Sequence, residues 1–152
     1  NPFLSDPNVN RVKKDLENLE FLAVQDIFRS ETAQYADVVL PAASFAEKDG
    51  TFTNTERRVQ LLRQVLDPPG QAKADWQILG EVASRLDYSS LNYGGTADIM
   101  DEIASQTPIY GGMSHDRLQG FGLQWPCPDK DHPGTPSCTR APSPVGKVCS
   151  TP

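Results

Sequence analysis

Cysteine is almost missing from this chain: among 152 residues only Cys127, Cys138 and Cys149 are cysteines, all in the last fifth and none where folded elements are expected. A secreted disulfide scaffold spreads an even number of cysteines through the body of its fold. The sequence does not fit that class, and an intracellular, cytoplasmic setting is expected. Long apolar runs are missing as well. Nothing approaches the roughly 20 consecutive apolar residues of a membrane-spanning helix, and no basic flank, apolar stretch and small-residue cleavage site occur together near the start. Basic charge is scarce: 14 Lys and Arg against 20 Asp and Glu leave a net charge of -6. That sign opposes neutralisation of a nucleic-acid backbone. Neither a nucleic-acid partner nor a membrane span is expected. His115 and His132 lack partners at metal-ligand spacing, and the even spacing of the three cysteines matches no zinc or iron–sulfur pattern. The P-loop, G-x-G-x-x-G, H-E-x-x-H and G-x-S-x-G motifs are absent too. The opening, Asn1-Pro2-Phe3, carries no initiator methionine and is read as an incomplete end.

What is present supports one compact domain and a loose segment. Ser5-Asp6-Pro7-Asn8-Val9 has the form of a helix start, with Asp6 as cap and Pro7 in the first turn. Val9, Val12, Leu16 and Leu19 then recur at helical spacing, which predicts a surface helix to about Leu19. Phe21-Leu22-Ala23-Val24 and Asp37-Val38-Val39-Leu40-Pro41 are short apolar runs suited to strands buried on both faces of a parallel sheet. Ser30-Glu31-Thr32 begins a short helical turn between them. The order predicts a Rossmann-like α/β layer, a parallel sheet with flanking helices. Residues 47–54 read as a polar, glycine-containing loop, and Arg57 to Leu62 as another extended piece. Asp75 is placed to cap a helix carrying Trp76, Ile78, Leu79, Val82, Ala83 and Leu86, and Thr96 to cap one carrying Ile99, Ile103 and Ala104. From about Gly120 no periodicity survives, and more than half of the thirteen prolines follow. The expected division is residues 1–119 as an α/β domain and 120–152 as an irregular connector and tail.

Ligands of open α/β sheets bind beyond the carboxyl ends of the strands. Gln25-Asp26 lies at such an end. Asp26 either accepts hydrogen bonds from a ribose or a guanine edge, or caps the following turn. Lys48 offers an ammonium for a phosphate, with Gly50 letting backbone come close, or else belongs to a solvated turn. Residue chemistry alone stops at a nucleotide-binding α/β domain.

A resemblance goes further. Val24-Gln25-Asp26-Ile27-Phe28 through Glu31-Thr32-Ala33, Ala36-Asp37-Val38-Val39-Leu40-Pro41-Ala42 and Glu47-Lys48-Asp49-Gly50-Thr51-Phe52-Thr53-Asn54-Thr55-Glu56-Arg57-Arg58-Val59-Gln60 resemble the molybdopterin oxidoreductase family. Asp75-Trp76-Gln77-Ile78, Gly122-Leu123-Gln124-Trp125-Pro126-Cys127-Pro128 and His132-Pro133-Gly134-Thr135 look like its formate dehydrogenase catalytic subunits, and the likeness runs from Asn1 to about Pro136. The resemblance implies most of a domain binding one molybdopterin guanine dinucleotide, carrying Mo or W, in an enzyme that oxidises formate to carbon dioxide. It implies cofactor contacts at Asn1, Gln25, Asp26, Lys48 and Asp75, with Ser30, Gly50 and Asn54 in the same loops. Ser30 stands where a threonine is expected and keeps the hydroxyl. The 4Fe-4S cluster and the metal's own ligand are expected upstream of Asn1, electrons passing to other subunits or domains, so no catalytic residue and no metal ligand is expected in this chain.

Two relatives within the family, assimilatory nitrate reductase and the large iron–sulfur subunit of NADH dehydrogenase, share the Ala-Asp-Val-Val-Leu-Pro pattern. The Gly-Leu-Gln-Trp-Pro-Cys-Pro segment favours formate. A non-catalytic nucleotide-binding α/β module is the alternative from another class. The tail from about Cys138 departs from the family, and allowed codons read one base earlier encode a string with Leu-His and Gly-Lys-Gly; a frameshift near Ser137 is therefore expected.

Overall fold

The structure, a computed structural model, describes residues 1–136. The proposed frameshift, with Cys138 and Cys149, lies outside the described residues. The described residues form two compact units, one made of Asn1–Lys48 and Val65–Asn92, the other of Asp49–Gln64 and residues 93–136. Both units are discontinuous in sequence.

The first unit opens with α1 (Pro2–Ser5), whose N-cap Asn1 accepts from the Phe3 amide, and α2 (Val9–Glu17). Asn8, not Asp6, caps α2, its side chain accepting from Arg11 N at 3.1 Å, while Asp6 accepts from Asn8 N at 2.7 Å. The helix thus starts two residues later than the Asp-Pro signal indicates. None of its residues is buried. β1 (Ala23–Asp26) pairs in parallel with β2 (Val38–Pro41), Gln25 opposite Leu40 and Asp26 opposite Pro41, and a 3-10 turn at Thr32–Tyr35 lies between them. Asp37 anchors the start of the pair by accepting from Leu22 N at 2.7 Å. Beyond β2, Ala43 N donates to Lys73 O at 2.8 Å and Lys73 N to Pro41 O at 3.2 Å. This bridge delivers the chain to α3 (Asp75–Arg85) at the carboxyl ends of the strands.

The expectation of strands buried on both faces is not met. Val38 and Val39 are 40% and 42% exposed, and Phe21 lies outside the strand at 64%. Two-sided burial needs helices over both faces, and the buried residues of this unit are mostly small: Ala33, Ala42, Ala43, Ala74 and Ala83, with Ile78 and Thr32. The fold is mixed α/β.

In the second unit, residues expected to form a loop are a strand. β3 (Gly50–Thr53) pairs antiparallel with β4 (Arg58–Leu62), and β4 with β5 (Leu123–Gln124). Thr51, Phe52 and Thr53 have the shapes that suit a pleated surface, and pairing with β4 outweighs the weak propensity of Gly50. α4 (Thr96–Gln106) begins after Gly95, and Asp98 accepts from Gly94 N at 2.8 Å. Its buried residue is Met100, whereas Ile103, expected on the inner face, is 41% exposed. The core joins Val59, Met100, Met113, Leu118 and Cys127, bordered by Leu61, Tyr110, Leu123 and Trp125.

The stretch expected to be irregular supplies part of this core. Gly122 has φ +72 and packs so closely on β4 that a Cβ would fall 2.1 Å from the Val59 carbonyl oxygen. Cys127 is fully buried; its N–H donates to Ile109 O at 2.7 Å and its carbonyl accepts from Gly112 N at 2.8 Å. Arg117 donates to the carbonyls of Gly112 at 2.5 Å, Asp129 at 3.2 Å and His132 at 2.7 Å, gathering the loop after Cys127 round one guanidinium. The periodicity is missing because the segment satisfies its backbone through distant partners, not through a regular element.

Candidate functional site

β1 and β2 run in parallel, so their carboxyl ends, Asp26 and Pro41, lie together. Neighbouring strand residues point to opposite faces. Gln25 and Asp26 are therefore divided between the two faces of the pair.

On one face, Gln25 Nε2 donates to Asp75 Oδ1 at 2.6 Å, and Lys48 Nζ forms a short hydrogen-bonded ion pair with Asp75 Oδ2. Lys48 reaches this point because a 3-10 turn at Phe45–Glu47 ends at it; Glu47 closes the turn by accepting from Ser44 N at 2.9 Å. Asp75 is the first residue of α3 and not its cap, which is Ala74. Gln77 Oε1 accepts from Ala74 N at 3.2 Å, which leaves the Asp75 carboxylate to face the sheet. Partial burial works against ionisation of Asp75, but the hydrogen bonds from Lys48 and Gln25 outweigh it and hold the carboxyl below the ordinary carboxylate range.

On the other face, Asp26 organises the loop after β1. Its Oδ2 accepts from Ser30 Oγ at 2.7 Å, and its Oδ1 from Ile27 N at 2.8 Å. The Ser30 hydroxyl is the main cause of a lowered Asp26 pKa, and the Phe28 and Ile27 amides add to it. The capping role foreseen for Asp26 is thus present. The same residue lines an open recess of about 400 Å³ with Ile27, Phe28, Arg29, Val39 and Pro41. Its carboxylate retains acceptor capacity beyond these bonds, since an ionised carboxylate has about four lone-pair sites.

Asn1 stands at a third point. Its Oδ1 accepts from Thr32 Oγ1 at 2.6 Å and its Nδ2 donates to Glu31 Oε2 at 2.9 Å, so the turn after Ser30 holds the start of the chain. Glu31 and the buried Thr32 were not foreseen as site residues. Their signal was available: two polar side chains directly after the Ser30 loop.

Gly50 and Asn54 belong to the second unit. Gly50 has open space where a Cβ would lie. Asn54 is a turn residue: its Oδ1 accepts from Glu56 N at 3.1 Å and from Arg58 N at 3.0 Å, closing the β3–β4 hairpin. The Gly-Leu-Gln-Trp-Pro-Cys-Pro segment is tied into the second unit. Gln124 Nε2 donates to Glu56 O at 3.0 Å, and Thr135 Oγ1 to Pro126 O at 2.8 Å. Among the described residues no cluster of three His, Cys, Asp or Glu is placed to hold a metal ion. No helix among them is long and apolar enough to cross a membrane.

A lysine, an amide and two carboxylates thus lie at the ends of parallel strands. The chain belongs to the molybdopterin oxidoreductase family, whose profile matches residues 1–85. It is similar to the F420-dependent formate dehydrogenase subunit alpha of Methanocaldococcus jannaschii, 55% identical over 136 residues that cover 89% of this chain and 20% of that protein. A second relative, the F420-dependent formate dehydrogenase 1 subunit alpha of Methanococcus maripaludis, is 48% identical over 149 residues, covering 96% of this chain and 22% of that one. The chain thus spans about a fifth of the length of these relatives. Among solved structures, acetylene hydratase from Pelobacter acetylenicus aligns with a TM-score of 0.58 at 25% identity, over 74% of this chain and 15% of that one.

Proposed function

We propose that this chain is part of the catalytic subunit of a cytoplasmic, molybdopterin-dependent formate dehydrogenase, and that it binds one molybdopterin guanine dinucleotide. The observation that carries the reading is the 55% identity to a formate dehydrogenase alpha subunit across 89% of the chain. The donor set of the first unit fits the nucleotide. Lys48 is a cation for phosphate, Gln25 an amide for a hydroxyl or base edge, and Asp26 an acceptor beside an open recess. Ser30 and Asn1 hold the loop that carries Asp26, and Asp75 supports Gln25 and Lys48.

In the parent protein a bound Mo or W cofactor would supply two-electron redox chemistry for taking formate to carbon dioxide, and a 4Fe-4S cluster would serve electron transfer to other subunits or domains. The residues of this chain bind and orient the nucleotide end. A doubly wound, Rossmann-like domain is the setting in which β1 and β2 acquire further strands, and residues 1–119 contribute most of that domain.

The test is expression of the complete gene product, with assay of formate-dependent dye reduction, metal content, and guanosine monophosphate released by acid hydrolysis. Formate oxidation, with bound metal and releasable guanosine monophosphate, is the expected result. Nitrate reduction without formate oxidation, or a cofactor free of nucleotide, overturns it.

A further inference from the structure

We propose that Asp75 is a positioning residue that sets the polarity of its neighbours, so that Gln25 meets a bound ligand with its carbonyl oxygen and Lys48 meets it with the two N–H bonds left over. The inference rests on the nucleotide-binding reading above and deepens it.

An ionised carboxylate only accepts hydrogen bonds. Gln25 and Asp75 Oδ1 are 2.6 Å apart, and with the amide reversed two acceptors would face each other at that distance. The carboxylate therefore dictates which end of the Gln25 amide it receives, an assignment that follows from the hydrogen-bond network. Nε2 turns inward and Oε1 is left for the ligand. Lys48 gives one of its three N–H bonds to Oδ2.

Asp75 is suited to this place as the first residue of the eleven-residue α3, where free amides and the helix dipole favour negative charge. Gln25 engages its Oδ1 and Lys48 its Oδ2, so the one carboxylate orients both neighbours. The ligand chemistry follows: an N–H or O–H donor at position 25, as a base edge or a ribose hydroxyl provides, and an anionic oxygen at position 48, as a phosphate provides.

Asparagine at position 75 separates this role from simple packing. In Asp75→Asn the new amide accepts from Lys48 through its oxygen and donates through its nitrogen, which turns the Gln25 amide over and presents a donor where the ligand also has a donor. In the double variant Asp75→Asn with Gln25→Glu, the amide nitrogen introduced at position 75 donates to the new carboxylate, whose second oxygen restores the acceptor. The total charge equals that of the parent.

The readout is guanosine monophosphate per polypeptide after acid hydrolysis, measured on the complete gene product with thermal melting as the control for folding. Nucleotide retention should weaken about tenfold in Asp75→Asn, the scale of one mismatched hydrogen bond. The double variant should recover it, and Lys48→Ala should lower it independently. If Lys48→Ala lowers retention while Asp75→Asn does not, or if the double variant fails to recover, the positioning role is overturned. If neither single variant changes retention, the nucleotide-binding reading itself fails.

Discussion

The guanidinium of Arg57 lies over the indole of Trp125, 5.3 Å from the ring centroid, and also donates to the Trp125 carbonyl and, at 3.2 Å, to that of Thr135. One side chain at the hairpin turn thus fastens a segment that is 68 residues away in the chain. Arg57 has φ 66, a left-handed conformation that a non-glycine residue adopts at a cost. Arg57→Ala should destabilise the protein by about 2–4 kcal/mol, from lost charged hydrogen bonds and the cation–π contact. Arg57→Gly should lose less, because glycine relieves the backbone. Urea midpoints of the two variants test the order, and an Arg57→Ala midpoint equal to the parent's would refute the fastening role.

Two glycines close together should respond very differently to alanine. Gly120 and Gly122 both have positive φ, +80 and +72, but a Cβ at Gly120 meets nothing within 4 Å while one at Gly122 falls 2.1 Å from Val59 O. Gly120→Ala should cost about 1–2 kcal/mol, the backbone term alone. Gly122→Ala should cost clearly more and separate β5 from β4. Hydrogen exchange at Val59 and Leu123 reports that separation, and equal losses in the two variants would contradict it.

Acid should act on the first unit through Asp26 and Asp75. Both titrate below the ordinary 3.8. A carboxyl with a depressed folded-state pKa contributes stability that is full above the unfolded value and is lost as pH falls through the folded one. The stability difference between the parent and Asp75→Asn should therefore be present near pH 6 and decline as pH falls below about 4. Ser30→Ala should move the Asp26 pKa upward, towards the ordinary value. NMR titration of the two carboxyls checks both statements, and an unmoved Asp26 would count against the Ser30 bond.

Leu118 and Cys127 are fully buried. Leu118→Ala should cost about 2–5 kcal/mol, as other large-to-small core changes do. Cys127 should resist thiol reagents until the second unit opens, so its labelling rate, mapped by mass spectrometry, should rise in Leu118→Ala. Rapid labelling of Cys127 in the parent would contradict its burial.

The 152-residue chain by itself should neither oxidise formate nor retain molybdenum. None of its residues is assigned a role on formate, and only one nucleotide is assigned to it. A dye-linked formate assay and metal analysis of the purified chain check this, with turnover above a cofactor-only control as the contrary result.

Much of the architecture was legible locally. Val9, Val12 and Leu16 announced α2, Ile78 and Ala83 announced the inner side of α3, and β2 and β4 fell within a residue of their apolar runs. The family motifs pointed to Gln25, Asp26, Lys48 and Asp75, and the first unit contains all four. Such signals lie within a few residues of one another, where capping and side-chain periodicity act. The rest depends on partners far along the chain. Gly50–Thr53 is a strand because β4 is there to receive it, and residues 120–136 pack because Glu56, Arg57 and Arg117 supply bonds that no neighbour supplies. Asp75 showed the same limit: its position marked a helix start, but its role came from Gln25, 50 residues earlier, and Lys48, 27 earlier. A hydrogen bond across that separation forms only once the chain has closed the loop between its partners, and sequence patterns record the partners without recording the closure.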